Sequence, residues 1–455
     1  MKLGKIRIAM LSVGDQQYPQ DQLGRVIQRV RDAVASLECV EEAHFATIMN
    51  DADATRVETD MKDRRFDAII VNYVSWHITP FVMRTLKHFR DVPVLVWGIG
   101  GITGPDGKLD APAAAAGVTA IVPLLKQMGY RYEVICEKPD EALRIEACEM
   151  FLRQAAAAKA VRNARIGLVG YADMGLYSCA YDKTLAFDRL GVDIEDYYSS
   201  ELLDKMNAFT AEEVAGAMEE IKRDFTFTNA IPDKVLDRVT RLYLAMAGKR
   251  DERGLDAISI KCVNGVTQMG FNPCLAQTLL ADKDTSVICE CDAYGMLTGI
   301  MFSRATGQTS AFVENYEVFD ETVLVGVCGF IPRDFIDGDP KIRSANLGEF
   351  NTGISNVSRM KTGRVTYGRL YQQGDSYRMF LSGGEALPNP KWTESGWAEP
   401  TPDFPSVLLK PGMPVQTYLE NVPGQHIIMV YGDHVQEIKL LCRLLGVEVD
   451  SVNPV

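Results

Sequence analysis

The sequence predicts an α/β fold with two doubly wound, Rossmann-like domains followed by a small C-terminal β-barrel-like domain. Short apolar runs rich in β-branched residues alternate with helical patterns, and this alternation occurs twice along the chain. Near-continuous Val, Ile and Leu runs are typical of strands covered on both faces, as in parallel sheets flanked by helices. After residue 335 the pattern changes to strand-like segments joined by turn-rich loops, which favours a small antiparallel sheet or barrel.

Size and charge limit the classes of protein to consider. A chain of 455 residues exceeds one ordinary core, so several domains are expected. Its hydrophobic content of 47% and charged content of 24% match a soluble globular protein. The formal net charge of −13 argues against a nucleic-acid or anionic-membrane partner. No apolar run reaches the roughly 18–20 residues that a bilayer span requires.

The N-terminus and the cysteines indicate the compartment. Lys2 and Lys5 precede an apolar run, so a signal peptide has to be considered. Arg7 interrupts that short run and no small-residue cleavage site follows, so a first β-strand explains it better. The ten cysteines are scattered, and the Cys289–Cys291 pair has no partner pair for zinc. We therefore expect reduced thiols and a cytoplasmic protein.

Apolar runs define the strands of the two predicted α/β domains. In the first domain they lie at 6–13, 66–73, 92–97 and 130–136, and a helix at about 139–160 ends at the polar Arg162-Asn163 pair. This pair sets the boundary of an N-terminal domain of residues 1–163. The second alternation starts at Arg165, with further strands near 257–263, 286–291 and 322–328, and is assigned to residues 164–335.

The last segment, residues 336–455, is predicted to be β-rich. Strand-like runs start at Gly363, Ser376 and His426, and a stretch rich in Pro, Gly and Trp lies at 388–405. A final helix is predicted at about 434–445. Several β-runs joined by turn-rich loops are what a small barrel requires.

An acidic pair ends one of the predicted strands. Glu290 and Asp292 are two residues apart at the carboxyl end of the strand predicted near 286–291, so in an extended chain they point to the same side. Like charges this close are costly unless a cation or a shared proton compensates them. Open α/β sheets bind ligands beyond the carboxyl ends of their strands. The pair therefore predicts a divalent metal site, and an acidic strand end that only caps the next helix stays open as the alternative.

Several motifs in order give the chain a family resemblance. They are Trp76-His77, Asp173-Met174-Gly175, Lys261-Cys262, Glu290-Cys291-Asp292 and Gly424-Gln425-His426. Together they resemble the L-fucose isomerase and L-arabinose isomerase superfamily, particularly its fucose-isomerase-like branch. The resemblance implies a divalent-metal-dependent aldose–ketose isomerase. It also implies a homotrimer or homohexamer in which a neighbouring subunit contributes to each sugar site.

The resemblance implies roles for individual residues. Glu290 or Asp292, whichever touches the ion, and the late His426 correspond to metal ligands. His77, with Trp76 beside it, corresponds to a residue that reaches a neighbour's substrate site. Oxygen ligands with one imidazole suit Mn²⁺, with Mg²⁺, Co²⁺ or Zn²⁺ as alternatives.

One expected carboxylate is missing. Relatives in the family carry a Glu a few residues after the Lys-Cys pair, whereas residues 263–270 of this chain contain no acid. Gln268 or Asn264 offers a neutral oxygen there, but neither amide acts as a general base at neutral pH. Glu314 ends another strand-like run and is the best replacement, with a solvated strand-end Glu as the alternative interpretation.

The predicted function is isomerisation of an aldose to a ketose through a metal-stabilised enediolate. Asp292, Glu290 and Glu314 are the candidate catalytic carboxylates, and His77, Trp76 and Gln268 are the candidate sugar-binding residues. The substrate class is a monosaccharide, with deoxy, branched and sulfonated sugars all open. The alternative is a non-catalytic sugar-binding or regulatory paralogue that has kept the fold and lost the base.

Overall fold

The computed structural model describes residues 4–103, 107–139, 141–265, 270–282, 284–347, 350–390 and 404–450. The chain divides into two compact units. One comprises the described residues up to Lys159 together with Arg443–Gly446, and the other runs from Ala160 to Cys442 and continues at Val447. The predicted division into three domains stays a prediction.

The N-terminal unit is built on one parallel sheet. Its five longer strands pair in the order β2–β1–β3–β4–β7, all parallel, and β5 and β6 form a separate antiparallel pair. The chain order reverses between β1 and β3, which makes their carboxyl ends the switch point of the sheet. The elements are β1 (Ile6–Val13), α1 (Gln20–Ala35), β2 (Val40–Ile48), α2 (Asp51–Met61), β3 (Ala68–Tyr73), α3 (Thr79–Leu86), β4 (Val94–Gly98), β5 (Ile102–Thr103), β6 (Leu109–Asp110), α4 (Ala114–Gln127), β7 (Tyr132–Cys136) and α5 (Ile145–Arg162).

The four strands predicted in this unit are present, whereas β2 and the two-residue strands β5 and β6 were not predicted. β1, β3 and β4 consist almost entirely of buried apolar residues, as their sequences predict. β2 lies at the edge of the sheet and carries the exposed Glu41 and Glu42. A half-exposed edge strand lacks the continuous apolar run used for the prediction.

The second unit begins with another parallel sheet, of four strands in the order β12–β11–β8–β9. The edge strand β9 was not predicted, and its sequence is again polar. The elements are β8 (Arg165–Val169), α6 (Lys183–Leu190), β9 (Asp193–Tyr197), α7 (Ser199–Ala208), α8 (Ala211–Asp224), β10 (Thr226–Phe227), α9 (Asp233–Arg253), β11 (Ala257–Ile260), α10 (Cys274–Leu280), β12 (Ser286–Cys289) and α11 (Ala293–Thr306).

A closed six-stranded antiparallel barrel follows. Its strands pair in the order β17–β20–β13–β14–β19–β18, and pairing of β17 with β18 closes the ring, while β21 adds to β18 in parallel. A separate sheet is formed by β10, β15 and β16. The elements are β13 (Ala311–Val318), β14 (Val323–Gly326), β15 (Lys341–Leu347), β16 (Phe350–Asn356), β17 (Gly363–Gln373), β18 (Ser376–Leu387), β19 (Ser406–Pro411), α12 (Val415–Asn421), β20 (His426–Tyr431), α13 (Val435–Leu445) and β21 (Glu448–Val449).

The prediction of an α/β fold with parallel sheets and a C-terminal barrel is confirmed. The expectation that the strand at 322–328 extends the second parallel sheet is wrong, because β14 pairs antiparallel with β13 and β19 in the barrel. A short buried apolar run shows that a strand forms but does not specify its pairing partner.

Helix α11 links the parallel sheet to the barrel. Every residue from Ala293 to Ala305 is buried, and the helix contacts β12, β17 and β20. Gly299 permits the close approach, since a Cβ there would lie 2.2 Å from the hydroxyl of Ser286. An all-round apolar helix is expected where protein surrounds it. Within the described chain, no helix has the length and apolarity needed to cross a membrane.

Candidate metal and active site

The acidic strand end forms a turn rather than an extended segment. β12 ends at Cys289, and Glu290 and Cys291 have left-handed backbone conformations with φ of 66° and 53°. Residues other than Gly seldom adopt this backbone conformation, so the turn needs support from its surroundings. The Ser259 hydroxyl supplies it by accepting from the N–H of Cys291 at 3.0 Å and donating to the carbonyl of Ile288 at 2.5 Å. The expectation that both carboxylates project from one side of an extended strand is therefore wrong.

Asp292 caps α11 and also forms an ion pair. Its Oδ1 accepts from the N–H of Gly295 at 3.0 Å, so the capping alternative holds for this residue. The guanidinium of Arg369 donates to Oδ2 at 2.5 Å and to Oδ1 at 3.1 Å, and Nδ1 of His426 lies 2.9 Å from Oδ2. All three side chains are fully buried. Both oxygens of Asp292 are thus engaged within the protein.

These contacts shift two protonation equilibria in opposite directions. Burial alone would raise the pKa of Asp292, but the charge of Arg369 and the hydrogen bond from His426 hold this pKa below its usual range. Burial alone would lower the pKa of His426, but its hydrogen bonds, led by the one to Asp292, raise this pKa well above its usual value. The Nδ1 side of the imidazole is therefore tied to Asp292.

The Nε2 side of His426 faces two further carboxyl groups. Nε2 lies 3.2 Å from Oε2 of Glu290, and Glu314 on β13 is paired with His426 across the barrel strands. Ligand atoms of Glu290, Glu314 and His426 all lie within 4.8 Å of one another. Burial, followed by the charge of Glu290, raises the pKa of Glu314 to about 7.

This second cluster fits a divalent cation. Oε2 of Glu290 is buried, and apart from its 3.2 Å contact with Nε2 of His426 it has no hydrogen-bond partner among the described residues. Two neighbouring carboxyl groups with an imidazole form the oxygen-rich donor set that a hard divalent ion prefers. Cys179, Asp292 and His426 also lie within the same distance of one another, but Arg369 already neutralises Asp292 there. The site formed by Glu290, Glu314 and His426 is the better match.

The loop that follows β11 is organised by Asp173. Its carboxylate accepts from the N–H groups of Val263 at 2.6 Å and Asn264 at 3.1 Å. Its own N–H donates to the carbonyl of Glu290 at 3.0 Å. Asp173 thus reaches the segment where relatives carry a Glu, but its oxygens are occupied by backbone donors. Gln268 lies outside the described residues.

Trp76 and His77 belong to the N-terminal unit, directly after β3. The side chain of Trp76 is 41% exposed, whereas His77 is 2% exposed and neither of its ring nitrogens has a hydrogen-bond partner among the described residues. Burial lowers the pKa of His77. Their assignment to the sugar site of a neighbouring subunit stays a prediction.

Arg369 is the residue of the site that sequence reasoning missed. It lies on β17 on the same side of the strand as Val365 and Tyr367, which are fully buried. The available signal was an Arg within the mostly apolar middle of β17, residues 365–371, because a buried Arg requires a carboxylate partner. The sequence did not indicate which carboxylate this is.

Comparison with known proteins supports the family resemblance. Residues 339–453 match the family described as "L-fucose isomerase, C-terminal domain". A sulfoquinovose isomerase of Clostridium sp. (strain MSTE9) is 22% identical over 80% of this chain and 82% of its own. Sulfoquinovose isomerases of Alkalicoccus urumqiensis and Priestia aryabhattai are each 20% identical over 85% of this chain and 86% of their own.

A solved carbohydrate transporter from Acidothermus cellulolyticus 11B, in complex with myo-inositol, matches 67% of this chain and 89% of its own at 14% identity. Its TM-score of 0.19 is too low to support an argument about the fold. The domain match and the isomerase relatives confirm the resemblance drawn from the motifs. The chain is similar to the L-fucose isomerase C-terminal domain over residues 339–453 and to sulfoquinovose isomerases over most of its length, which supports the L-fucose isomerase-like superfamily.

Proposed function

We propose that this protein is an aldose–ketose isomerase whose divalent metal is held by Glu290, Glu314 and the Nε2 atom of His426. The observation that carries the proposal is the convergence of two carboxyl groups on one face of a buried imidazole. Glu314, which the sequence suggested as the replacement for the missing Glu, approaches from the barrel. The missing carboxylate is therefore supplied by a different element of the fold.

The donor set favours Mn²⁺, with Mg²⁺, Co²⁺ or Zn²⁺ as alternatives, because it combines carboxylate oxygens with one imidazole. When bound, such an ion stabilises the negative charge that develops on the two neighbouring oxygens of the sugar during isomerisation.

The protein's own groups divide the remaining work. Isomerisation moves a proton between adjacent carbons, and a positioned carboxyl group accepts and returns it. We assign this role to Glu314, whose carboxyl group approaches Glu290 and His426 from the barrel. Asp292 does not suit it, since Arg369 and His426 occupy both of its oxygens. We assign Asp292 to the orientation of His426.

The substrate is proposed to be sulfoquinovose or a similar acid-substituted aldose. The support is the name shared by the relatives, each of which matches at least four fifths of this chain. Because these relatives are 20–22% identical to this chain, the identity of the sugar and of its substituent has to be tested directly.

The test combines metal analysis with a substrate panel. Purified protein is analysed for bound metals and then incubated with sulfoquinovose, unsubstituted glucose and L-fucose, with Mn²⁺ or with EDTA, while ketose formation is followed by NMR. We expect bound or bindable Mn²⁺ and turnover of the sulfonated sugar that EDTA abolishes. A protein that binds no divalent metal and converts no aldose would instead be the sugar-binding paralogue.

A further inference from the structure

We infer that Arg369 is a positioning residue for the metal site: it fixes the carboxylate of Asp292, and through that carboxylate the imidazole of His426. The inference rests on the proposed function, because it assigns a role in metal binding to a residue outside the ligand set. Arg369 has no exposed side-chain surface and donates to both oxygens of Asp292. A two-point contact fixes the plane of the carboxylate as well as its distance.

The guanidinium joins three segments that meet at the site. Besides the cap of α11 at Asp292, it donates to the carbonyl of Ser178 at 2.8 Å and to the carbonyl of His426 at 3.3 Å. Ser178 lies in the turn after β8, and His426 opens β20. One side chain from β17 thus sets the relative positions of the parallel sheet's edge, the helix and the barrel strand.

Helix α11 is attached to the same stretch of β17. The N–H of Leu370, next to Arg369, donates to the hydroxyl of Thr298 at 2.9 Å. Gly368, on the other side, makes room for α11, since a Cβ there would lie 3.1 Å from the ring of Phe302. The strand therefore presents Arg369 to Asp292 from a fixed position on the helix.

The consequence for the metal site follows from the geometry of the imidazole. Because Asp292 holds Nδ1 at 2.9 Å, Nε2 is directed to the opposite side, 3.2 Å from Glu290. Partners that orient a metal-binding His are typically worth about 10- to 100-fold in metal affinity. Removing the two-point contact of Arg369 leaves the carboxylate of Asp292 with its cap bond from Gly295 and its contact with His426, so the direction of the imidazole is held less firmly.

The test is Arg369→Lys, which keeps the positive charge and removes the two-point contact. The matched control is Arg304→Lys, because Arg304 is also buried and donates to an acid, Asp256, at 2.7 Å, at the far end of α11. The affinity for Mn²⁺ is measured by EPR of the free ion, the ligand environment by the visible spectrum of Co²⁺-loaded protein, and stability by thermal unfolding in EDTA.

We expect Arg369→Lys to weaken Mn²⁺ binding by about 10- to 100-fold and to change the Co²⁺ spectrum. The control should retain wild-type affinity and spectrum, whatever its unfolding temperature. If Arg369→Lys does not fold, the double variant Arg369→Met/Asp292→Asn replaces it, because this variant leaves no unpaired buried charge and keeps a side chain able to cap α11.

Two results overturn the inference: wild-type Mn²⁺ affinity and Co²⁺ spectrum in the Arg369 variant that folds, or equal losses of affinity in that variant and in the Arg304 control. The second result would mean that any loss of a buried ion pair loosens the site. A wild-type protein that binds no divalent metal overturns the proposed function itself, so the two failures are distinguishable.

Discussion

The two parallel sheets share one strand topology, but the residues at the carboxyl ends of their strands differ in chemistry. We call these two groups of strand ends the N-terminal edge and the second edge. In both sheets the first strand lies between the second and the third, so each has a switch point between its first and third strands. The N-terminal edge carries Ser12, Asn72 and His77, which are buried and have polar atoms without partners among the described residues. The second edge carries Asp173, Glu290 and Asp292.

The difference shows what the barrel adds. A cluster of buried carboxylates is unstable without compensation. At the second edge β17 supplies Arg369 and β20 supplies His426, and both contact Asp292. Glu314 from β13 then completes the proposed set of metal-binding groups. A common strand order provides the location of a site, and the element attached to it decides which charges can be placed there.

The largest effect is expected for a change that removes the imidazole from the second edge. His426→Ala should abolish Mn²⁺ retention and isomerase turnover, because Glu290 and Glu314 would lose the third donor of the cluster. Metal content after gel filtration measures this. His77→Ala, the corresponding change at the N-terminal edge, should retain the metal and alter only the KM for the sugar. Equal metal loss in both variants would contradict the proposed ligand set.

The next effect concerns proton transfer. Glu314→Gln keeps the shape of the side chain and removes its ability to accept a proton, so kcat should fall about 10²- to 10⁴-fold. Glu317→Gln on the same strand is the matched control, because Glu317 is exposed. The kcat values of the two variants are compared from initial rates at saturating Mn²⁺. Unchanged kcat in Glu314→Gln would show that another group moves the proton.

The Mn²⁺ affinity of the second edge should depend on pH. Metal binding needs deprotonated ligands, and both Glu314 and His426 have raised pKa values, so Mn²⁺ affinity should increase as the pH rises through about 7. Isothermal titration at several pH values from 6 to 8 measures this. A flat profile would mean that these groups release no proton to the ion.

Stability of the metal-free protein should show the opposite trend. The pKa of Glu314 is raised from 4.5 to about 7 in the folded protein, so the folded state binds more protons than the unfolded state in this interval. Its contribution is present below about pH 4.5 and is lost as the pH rises through about 7. Measured by urea unfolding in EDTA, the free energy of unfolding should fall more steeply between pH 4.5 and about 7 for the wild type than for Glu314→Gln.

The smallest effects concern helix packing in the two units. A Cβ at Gly117 of α4 would lie 2.4 Å from the ring of Tyr73, and one at Gly299 of α11 would lie 2.2 Å from the hydroxyl of Ser286. Gly117→Ala should cost about 1–3 kcal/mol, and Gly299→Ala less, because a Ser hydroxyl rotates away more readily than a buried ring.

Gly216→Ala in α8 is the control, since nothing lies within 4 Å of a Cβ there, and it should stabilise by about 0.5–1 kcal/mol. Urea unfolding of the three variants gives the comparison. A larger cost at Gly299 than at Gly117 would show that α11 cannot shift between sheet and barrel.

Local patterns were sufficient for most of the fold. The buried strands β1, β3, β8 and β12 were found because each is a continuous apolar run. The edge strands β2 and β9 were not, because their polar residues face solvent and leave no such run. The turn at Glu290 was missed because Glu and Cys seldom adopt a left-handed backbone, so no residue type signalled it.

The sequence by itself determined the alternation of strands and helices, the change to a barrel, and the acidic pair that marks the end of β12. Only the tertiary structure decided that Asp292 pairs with Arg369, 77 residues away, and with His426, 134 residues away. It also placed Glu314 beside Glu290. The physical reason is that backbone conformation and burial leave a local sequence pattern, whereas a contact across a closed barrel depends on how distant strands pair.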